Sequence, residues 1–243
     1  MGDYGLTLAG MEIIGQVEID EYCQKILSLR WPDVPKWKDI RDVKGEEVIK
    51  TIGRPDVISG GFPCTDISTA KNNAEGLNGK RSGLWYEQLR IIRELRPKYC
   101  IVENVSALLD RGLGDVLGGL AESGYDAEWQ MLSSTIFGGH HRRLRIFIVA
   151  YSASGGLQRI FPKPQDVKTS IRKSSNKVAD DCFDESLQSD GRIWPSSSRV
   201  RRVADGIANR IHRLKITGNG QDVRCVKWIG ERIMEYEKTQ GKV

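Results

Sequence analysis

The chain has 243 residues, of which 39% are hydrophobic, and its formal net charge is +5. This length and apolar content suit one sizeable globular domain that folds without disulfides. Its five cysteines are odd in number and lack Cys-x-x-Cys spacing, which argues against a disulfide framework or a structural zinc site. The sequence has no apolar run of roughly 20 residues and no signal-peptide pattern, so we expect a cytoplasmic protein without a membrane partner.

Short β-rich runs alternate with helical stretches through the first two thirds of the chain. In chain order, the pattern predicts a strand at 12–19, a helix at 22–29, a strand at 56–60, a helix at 84–95, a strand at 99–105, a helical segment around 116–120, and strands at 129–135 and 144–151. This βαβ rhythm predicts a doubly wound, mostly parallel α/β sheet, in which ligands bind outside the carboxyl ends of the strands.

The amino-acid composition and the spacing of apolar residues change after residue 151. We divide the chain into a core at 1–151, a polar linker or reduced recognition region at 152–202, and a C-terminal segment at 203–243 that returns to the core. Residues 152–201 are rich in Ser, Asp, Lys and Gln and show no clear period, which favours a long loop. In the last segment, apolar residues at spacings of three and four predict an amphipathic helix with Asp222 as its N-cap.

A Gly-rich turn, Gly60-Gly61-Phe62-Pro63-Cys64, follows the strand predicted at 56–60. Such a turn holds its cysteine at the edge of the sheet, facing the crevice where ligands bind. A lone cysteine after a strand is more often structural than catalytic. The case for chemistry therefore depends on the neighbours of Cys64.

Two further segments carry polar residues at strand ends. The strand at 99–105 ends in Glu103-Asn104-Val105, and in a parallel sheet this end lies near the turn that holds Cys64. A basic stretch leads into the strand at 144–151, and alternation places Arg143 and Arg145 on one face. Arginines on a strand face that is otherwise buried need a carboxylate or a bound anion. Glu103 by itself is equally compatible with a solvated acid.

The blocks GGFPCTDIS, RSGLW, VENV and HHRRLRIFIVA, in this order, resemble the catalytic blocks of the DNA cytosine-5 methyltransferase family. The segment KITGNGQDVRCVKWIGERI is similar to the last block of the same family. The resemblance covers about 5–151 and 203–234. It implies a Rossmann-like class I methyltransferase fold and a short enzyme of the kind found in restriction-modification systems and mobile elements.

The resemblance implies a role for each residue of the catalytic blocks. Cys64 would add as a thiolate to carbon 6 of cytosine, which activates carbon 5 toward a methyl group. Glu103 would hold the base and deliver a proton, and Arg143 and Arg145 would orient both the base and its carboxylate partner. Family members flip the target base out of double-stranded DNA, and we carry that expectation over. Ser68 and Asn104 are expected to contact the substrate.

The resemblance also implies S-adenosylmethionine as cofactor and no metal. The residues expected to bind the cofactor are Glu18, Ile19, Asp39, Ile40, Pro63, Leu84 and Asn219. Glu18 matches the acid that binds the ribose hydroxyls, and Ile19 matches the apolar residue that packs on adenine. Leu84 and Trp85 have an alternative role as core residues of the helix at 84–95, and both roles can hold.

Two departures from the family pattern keep other functions open. The family opens with a strand and a Phe-x-Gly-x-Gly loop, of which the sequence shows only the end, so we expect a first strand that is either missing or encoded upstream. The polar stretch 152–202 stands where the family has a target recognition domain. The alternatives are a catalytically inactive nucleic-acid-binding remnant and a tRNA cytosine-5 methyltransferase. For the active enzyme we expect a monomer with a cognate restriction nuclease as a candidate partner.

Overall fold

Two β-sheets organise the protein in this computed structural model, which describes residues 2–63, 83–137, 143–152, 160–161 and 220–240. The helices in these ranges are α1 (Gly2–Leu8), α2 (Glu21–Arg30), α3 (Gly45–Ile52), α4 (Leu84–Leu95), α5 (Leu108–Arg111), α6 (Leu113–Glu122) and α7 (Val223–Thr239). The strands are β1 (Gln16–Val17), β2 (Lys36–Trp37), β3 (Val57–Gly60), β4 (Tyr99–Val105), β5 (Tyr125–Ser133) and β6 (Leu144–Ser152). No helix in the described part of the chain is long and apolar enough to cross a lipid bilayer.

The chain divides into two units, and the larger one comprises Glu12–Leu132 and Leu144–Phe161. Its main sheet has the strand order β3-β4-β6-β5, and β1 pairs with β2 in a separate two-stranded sheet. The pairs β1–β2 and β3–β4 are parallel, whereas β6 runs antiparallel to β4. Parallel pairing brings the carboxyl ends of β3 and β4 to the same edge of the sheet, as the sequence predicts.

Helix α4 contributes apolar side chains to two separate hydrophobic clusters. Trp85, Leu89 and Ile92 are buried in the main cluster with residues of β4, β6 and α6. Ile91 and Leu95 are buried in a second cluster beneath α3. Because both clusters include α4, this helix is fixed firmly behind the turn that follows β3.

The smaller unit comprises Met1–Met11, Ser133–Arg143 and Pro162–Val243, and its described part centres on the packing of α1 against α7. Gly5 permits this close approach, because a Cβ at that position would lie 2.6 Å from the main-chain oxygen of Val223. Helix α7 begins at a side-chain cap, since Asp222 accepts a hydrogen bond from the N–H of Arg224 at 3.0 Å. The rings of Phe137 and Trp228 pack with centroids 5.9 Å apart.

Several elements match the sequence predictions and others do not. The bounds predicted for α4 and β4 are confirmed, as is the Asp222-capped helix α7. The strand predicted at 12–19 is wrong in length, because only two residues pair with β2. Helix α3 was not predicted, and β5 begins four residues earlier than expected. Most of the polar region 152–202 lies outside the described residues.

Candidate active site

The turn that follows β3 is pressed against the end of β4. A Cβ on Gly61 would lie 2.7 Å from the main-chain oxygen of Glu103 and 3.0 Å from its Oε2, so this contact requires a glycine. One residue later, the main-chain oxygen of Phe62 accepts a hydrogen bond from Nδ2 of Asn104 at 3.3 Å. The Phe62 ring is buried and lies 5.6 Å from the Trp85 ring, centroid to centroid. Three contacts, with Glu103, Asn104 and Trp85, therefore anchor the turn before the chain reaches Cys64.

Glu103 and Arg145 form an ion pair at this edge, with Nε and Oε1 3.1 Å apart. Arg145 lies opposite Val105 in the antiparallel ladder. Glu103 shares the face of Val105, since strand residues repeat every two positions, so the two charged side chains are diagonal neighbours. Only 8% of the Glu103 side chain and 22% of the Arg145 side chain are exposed. A carboxylate buried to this extent needs such a partner.

Glu18 and Ile19 lie directly after β1. The Glu18 N–H donates to the main-chain oxygen of Trp37, which continues the pairing with β2, and its Oε1 accepts from the N–H of Asp20 at 2.8 Å. Gln24 holds the main-chain oxygen of Glu18 through a 2.5 Å hydrogen bond. Ile19 is 58% exposed, which places an apolar side chain in solvent beside a fixed carboxylate.

Asp39 lies two residues after β2, and its carboxylate is held by Arg41. The guanidinium of Arg41 contacts both carboxylate oxygens, at 3.0 Å (Nε–Oδ1) and 2.5 Å (Nη2–Oδ2), and the Arg41 N–H donates to Oδ1 at 3.0 Å. These side-chain and main-chain hydrogen bonds lower the pKa of Asp39 to about 2. The neighbouring Ile40 packs against the cluster beneath α3, and its main-chain oxygen accepts from Arg90 at 2.9 Å.

Comparison with known proteins identifies the family. A model of the C-5 cytosine-specific DNA methylases matches residues 2–240, nearly the whole chain. The chain belongs to this family. Its turn, its Glu103–Arg145 pair and its acidic strand ends are therefore features of a C-5 cytosine-specific DNA methylase sequence.

Individual relatives give the extent of the similarity. The chain is 38% identical to the Type II methyltransferase M.Sau3AI of Staphylococcus aureus over 123 residues, which is 47% of this chain and 29% of the relative. It is 30% identical to the Type II methyltransferase M.FnuDI of Fusobacterium nucleatum over 225 residues, 82% of this chain and 64% of the relative. The chain thus spans less than two thirds of either relative. The solved structure of S. pombe Dnmt2 methyltransferase matches 79% of this chain and 54% of its own, with a TM-score of 0.54 at 18% identity, and shares the fold.

Of the two acidic strand ends, Glu18 after β1 fits S-adenosylmethionine more clearly than Asp39 after β2 does. The main-chain N–H of Asp20 donates to one carboxylate oxygen of Glu18, which leaves the other oxygen for the hydroxyl donors of a ribose. The exposed Ile19 beside it suits an adenine ring. At Asp39 both carboxylate oxygens are engaged by Arg41, so a ligand amino group has to share or displace that guanidinium. Within the described residues no group of His, Cys, Asp and Glu could hold a metal ion.

The remaining predicted site residues differ in how far they are described. Cys64, Ser68 and Asn219 lie outside the described residues. Arg143 directly precedes β6 and is half-buried. Pro63 ends the described part of the turn, and Leu84 is partly buried against the main core cluster, in keeping with its alternative role as a core residue.

Two residues were not singled out from the sequence. Arg41 follows Asp39 at a spacing of two, which suits a local carboxylate–guanidinium pair. Gln88 lies on the apolar face of α4 among Trp85, Leu89 and Ile92, and it is buried with them. A lone amide in an apolar stripe of this kind is the pattern that would have identified it.

Proposed function

We propose that this chain transfers a methyl group from S-adenosylmethionine to carbon 5 of cytosine in DNA, with Cys64 as the nucleophile. The observation that carries the proposal is the anchoring of the Gly61–Phe62–Pro63 turn, immediately ahead of Cys64, against a Glu103 carboxylate paired with Arg145. This places an acid and a cation beside the start of the segment that bears the thiol. Family membership supports the same reaction.

In the proposed reaction the Cys64 thiolate adds to carbon 6 of the target cytosine, which makes carbon 5 nucleophilic. Glu103 contacts N3 and the exocyclic amine and delivers a proton to N3 as negative charge builds in the ring. Arg145 holds the Glu103 carboxylate in place, and Arg143 assists in orienting the base. S-Adenosylmethionine, when bound, supplies the electrophilic methyl group. Loss of the carbon 5 proton to water then forms the carbon 5–carbon 6 double bond and expels Cys64 as a thiolate, and N3 returns its proton to Glu103.

We assign the adenosine end of the cofactor to Glu18 and Ile19, with Asp39 and Ile40 contributing from the end of β2. Pro63, Leu84 and Asn219 complete the proposed cofactor contacts. Ser68 is proposed to contact DNA. Asn104, proposed from the sequence as a substrate contact, gains a second proposed role from its hydrogen bond to Phe62, which is to position the turn.

The substrate and partners are proposals of the same kind. A stacked duplex shields carbon 6 of cytosine, so we propose that the chain acts on a base flipped out of double-stranded DNA. A cognate restriction nuclease and a monomeric state are the further expectations for a methyltransferase of restriction-modification type. These assignments apply to a chain that spans less than two thirds of the relatives described above.

Transfer of labelled methyl groups from S-adenosylmethionine to unmethylated DNA tests the proposal. We expect incorporation by the wild-type chain and none by Cys64→Ser, with 5-methylcytosine as the only labelled base. Parallel reactions on tRNA distinguish the RNA alternative, because labelling of tRNA but not of DNA would reassign the substrate. Absence of transfer to either nucleic acid by a folded sample would contradict the proposed activity and favour the inactive remnant.

A further inference from the structure

The apolar face of α4 contains one amide whose hydrogen-bonding capacity is not used by the described residues. Gln88 is 6% exposed, and its Nε2 is buried without a hydrogen-bond acceptor among them. The indole N–H of the fully buried Trp85, three residues earlier on the same helix face, likewise has no acceptor there. Buried donors are almost always paired in native proteins, and leaving one unpaired is costly. The buried amide of Gln88 therefore indicates an acceptor that arrives from elsewhere.

The position of the amide indicates where that acceptor lies. A Cβ on Gly60 would be 3.1 Å from Gln88 Nε2, so the amide lies against the last residue of β3. The next residue, Gly61, contacts Glu103. The Gln88 donor is therefore at the carboxyl edge of β3, on the face of the sheet that packs against α4. This is the edge at which open α/β sheets bind ligands.

We propose that Gln88 binds the α-carboxylate of the methyl donor, an inference that rests on the proposed function. The methyl group has to reach carbon 5 of a base held by Glu103, so the methionine half of the cofactor lies nearer to Gly60 than the adenosine half does. The strong acceptor of that half is its carboxylate. A hydrogen bond from an amide N–H to a carboxylate is charge-assisted and stronger than one between neutral groups.

Calorimetric titration of the full chain with two ligands tests this assignment. S-Adenosylhomocysteine carries the amino-acid end, whereas 5′-methylthioadenosine lacks it. Gln88→Leu keeps the size of the side chain and removes the donor. We expect it to weaken S-adenosylhomocysteine binding about tenfold to a hundredfold and to leave the affinity for 5′-methylthioadenosine unchanged. The melting temperature of the ligand-free protein should stay the same or rise, because the variant removes a buried donor that the described residues leave unpaired.

Gln24→Leu is the matched control, since the Gln24 amide donates to Glu18 at the proposed adenosine end. This variant should weaken both ligands to a similar degree. An equal loss of both ligands in Gln88→Leu, or unchanged binding of S-adenosylhomocysteine at any melting temperature, would overturn the inference and make Gln88 an internal packing residue. Failure of the wild-type chain to bind either ligand would instead overturn the proposed function on which the inference rests.

Discussion

The side-chain amide of Asn104 donates a hydrogen bond to the main-chain oxygen of Phe62 at 3.3 Å and so ties the turn ahead of Cys64 to the end of β4. Its Oδ1 accepts from the N–H of Val105 at 2.8 Å, which fixes the amide in this orientation. Asn104→Asp keeps that acceptor but places a carboxylate oxygen against the Phe62 oxygen. We expect kcat for methyl transfer to fall further in Asn104→Asp than in Asn104→Ala, measured at a temperature where both variants are folded. Wild-type kcat in Asn104→Asp would contradict a positioning role.

The Glu103–Arg145 pair should be energetically coupled. Arg145→Gln leaves the Glu103 carboxylate, which is 8% exposed, without this cation. We expect a loss of about 1–3 kcal/mol in the free energy of unfolding. Combining it with Glu103→Gln should recover part of that loss, because the uncompensated charge is then removed. Urea denaturation of the two single variants and the double variant gives the coupling, and effects that add within about 0.5 kcal/mol would show that the two side chains are independent.

Gly61 should be intolerant of any side chain. The Cβ of Gly61→Ala would lie 2.7 Å from the main-chain oxygen of Glu103, so the turn or β4 has to shift. We expect lower stability and loss of methyl transfer. Gly118→Ala in α6 is the matched control, because its added Cβ meets no atom within 4 Å in the described residues beyond its own helix backbone and chain neighbours. That change should stabilise the protein by up to about 1 kcal/mol through helix propensity. Similar melting temperatures for the two variants would contradict the close contact between Gly61 and Glu103.

The Asp39–Arg41 pair predicts a specific titration. Hydrogen bonds from Arg41 lower the pKa of Asp39 from 3.8 to about 2, so the pair stabilises the folded state above pH 4 and this contribution is lost as the pH falls toward 2. Arg41→Gln should return the pKa of Asp39 toward 3.8, measured by the ¹³C shift of its carboxyl group in an NMR titration. Lys38→Gln is the control, since Lys38 pairs with Glu21 and should leave the pKa of Asp39 near 2. A pKa unchanged in Arg41→Gln would disprove the assigned cause.

The fold is predictable where local pattern and tertiary environment agree. Helix α4 has an apolar face and strand β4 begins with a run of apolar residues, and their predicted bounds hold. Strand β1 was predicted too long, because its pairing with β2 covers two residues and a β-rich composition does not report the length of a ladder. Strand β6 runs antiparallel to β4, and no local residue pattern encodes this direction.

The candidate site was predictable to a similar extent. The sequence predicted that Glu103 lies near the turn and that the arginines near β6 need a carboxylate or a bound anion, and the structure pairs Arg145 with Glu103. Strand β6 begins at Leu144, as predicted, so Arg143 lies just ahead of it and the shared face of Arg143 and Arg145 stays a prediction. Gln88 escaped notice because a helical pattern identifies a buried face but does not show which polar atom on that face lacks a partner.

Covalent trapping on a DNA duplex containing 5-fluorocytosine tests the central claim most directly. Fluorine at carbon 5 cannot leave as a proton does, so the elimination that expels Cys64 is blocked after methyl transfer. With S-adenosylmethionine present, we expect a protein–DNA adduct that survives a denaturing gel, disappears in Cys64→Ser and is strongly reduced in Glu103→Gln. An adduct that persists in Cys64→Ser, or no adduct from wild-type protein shown by calorimetry to bind S-adenosylhomocysteine, would contradict the account.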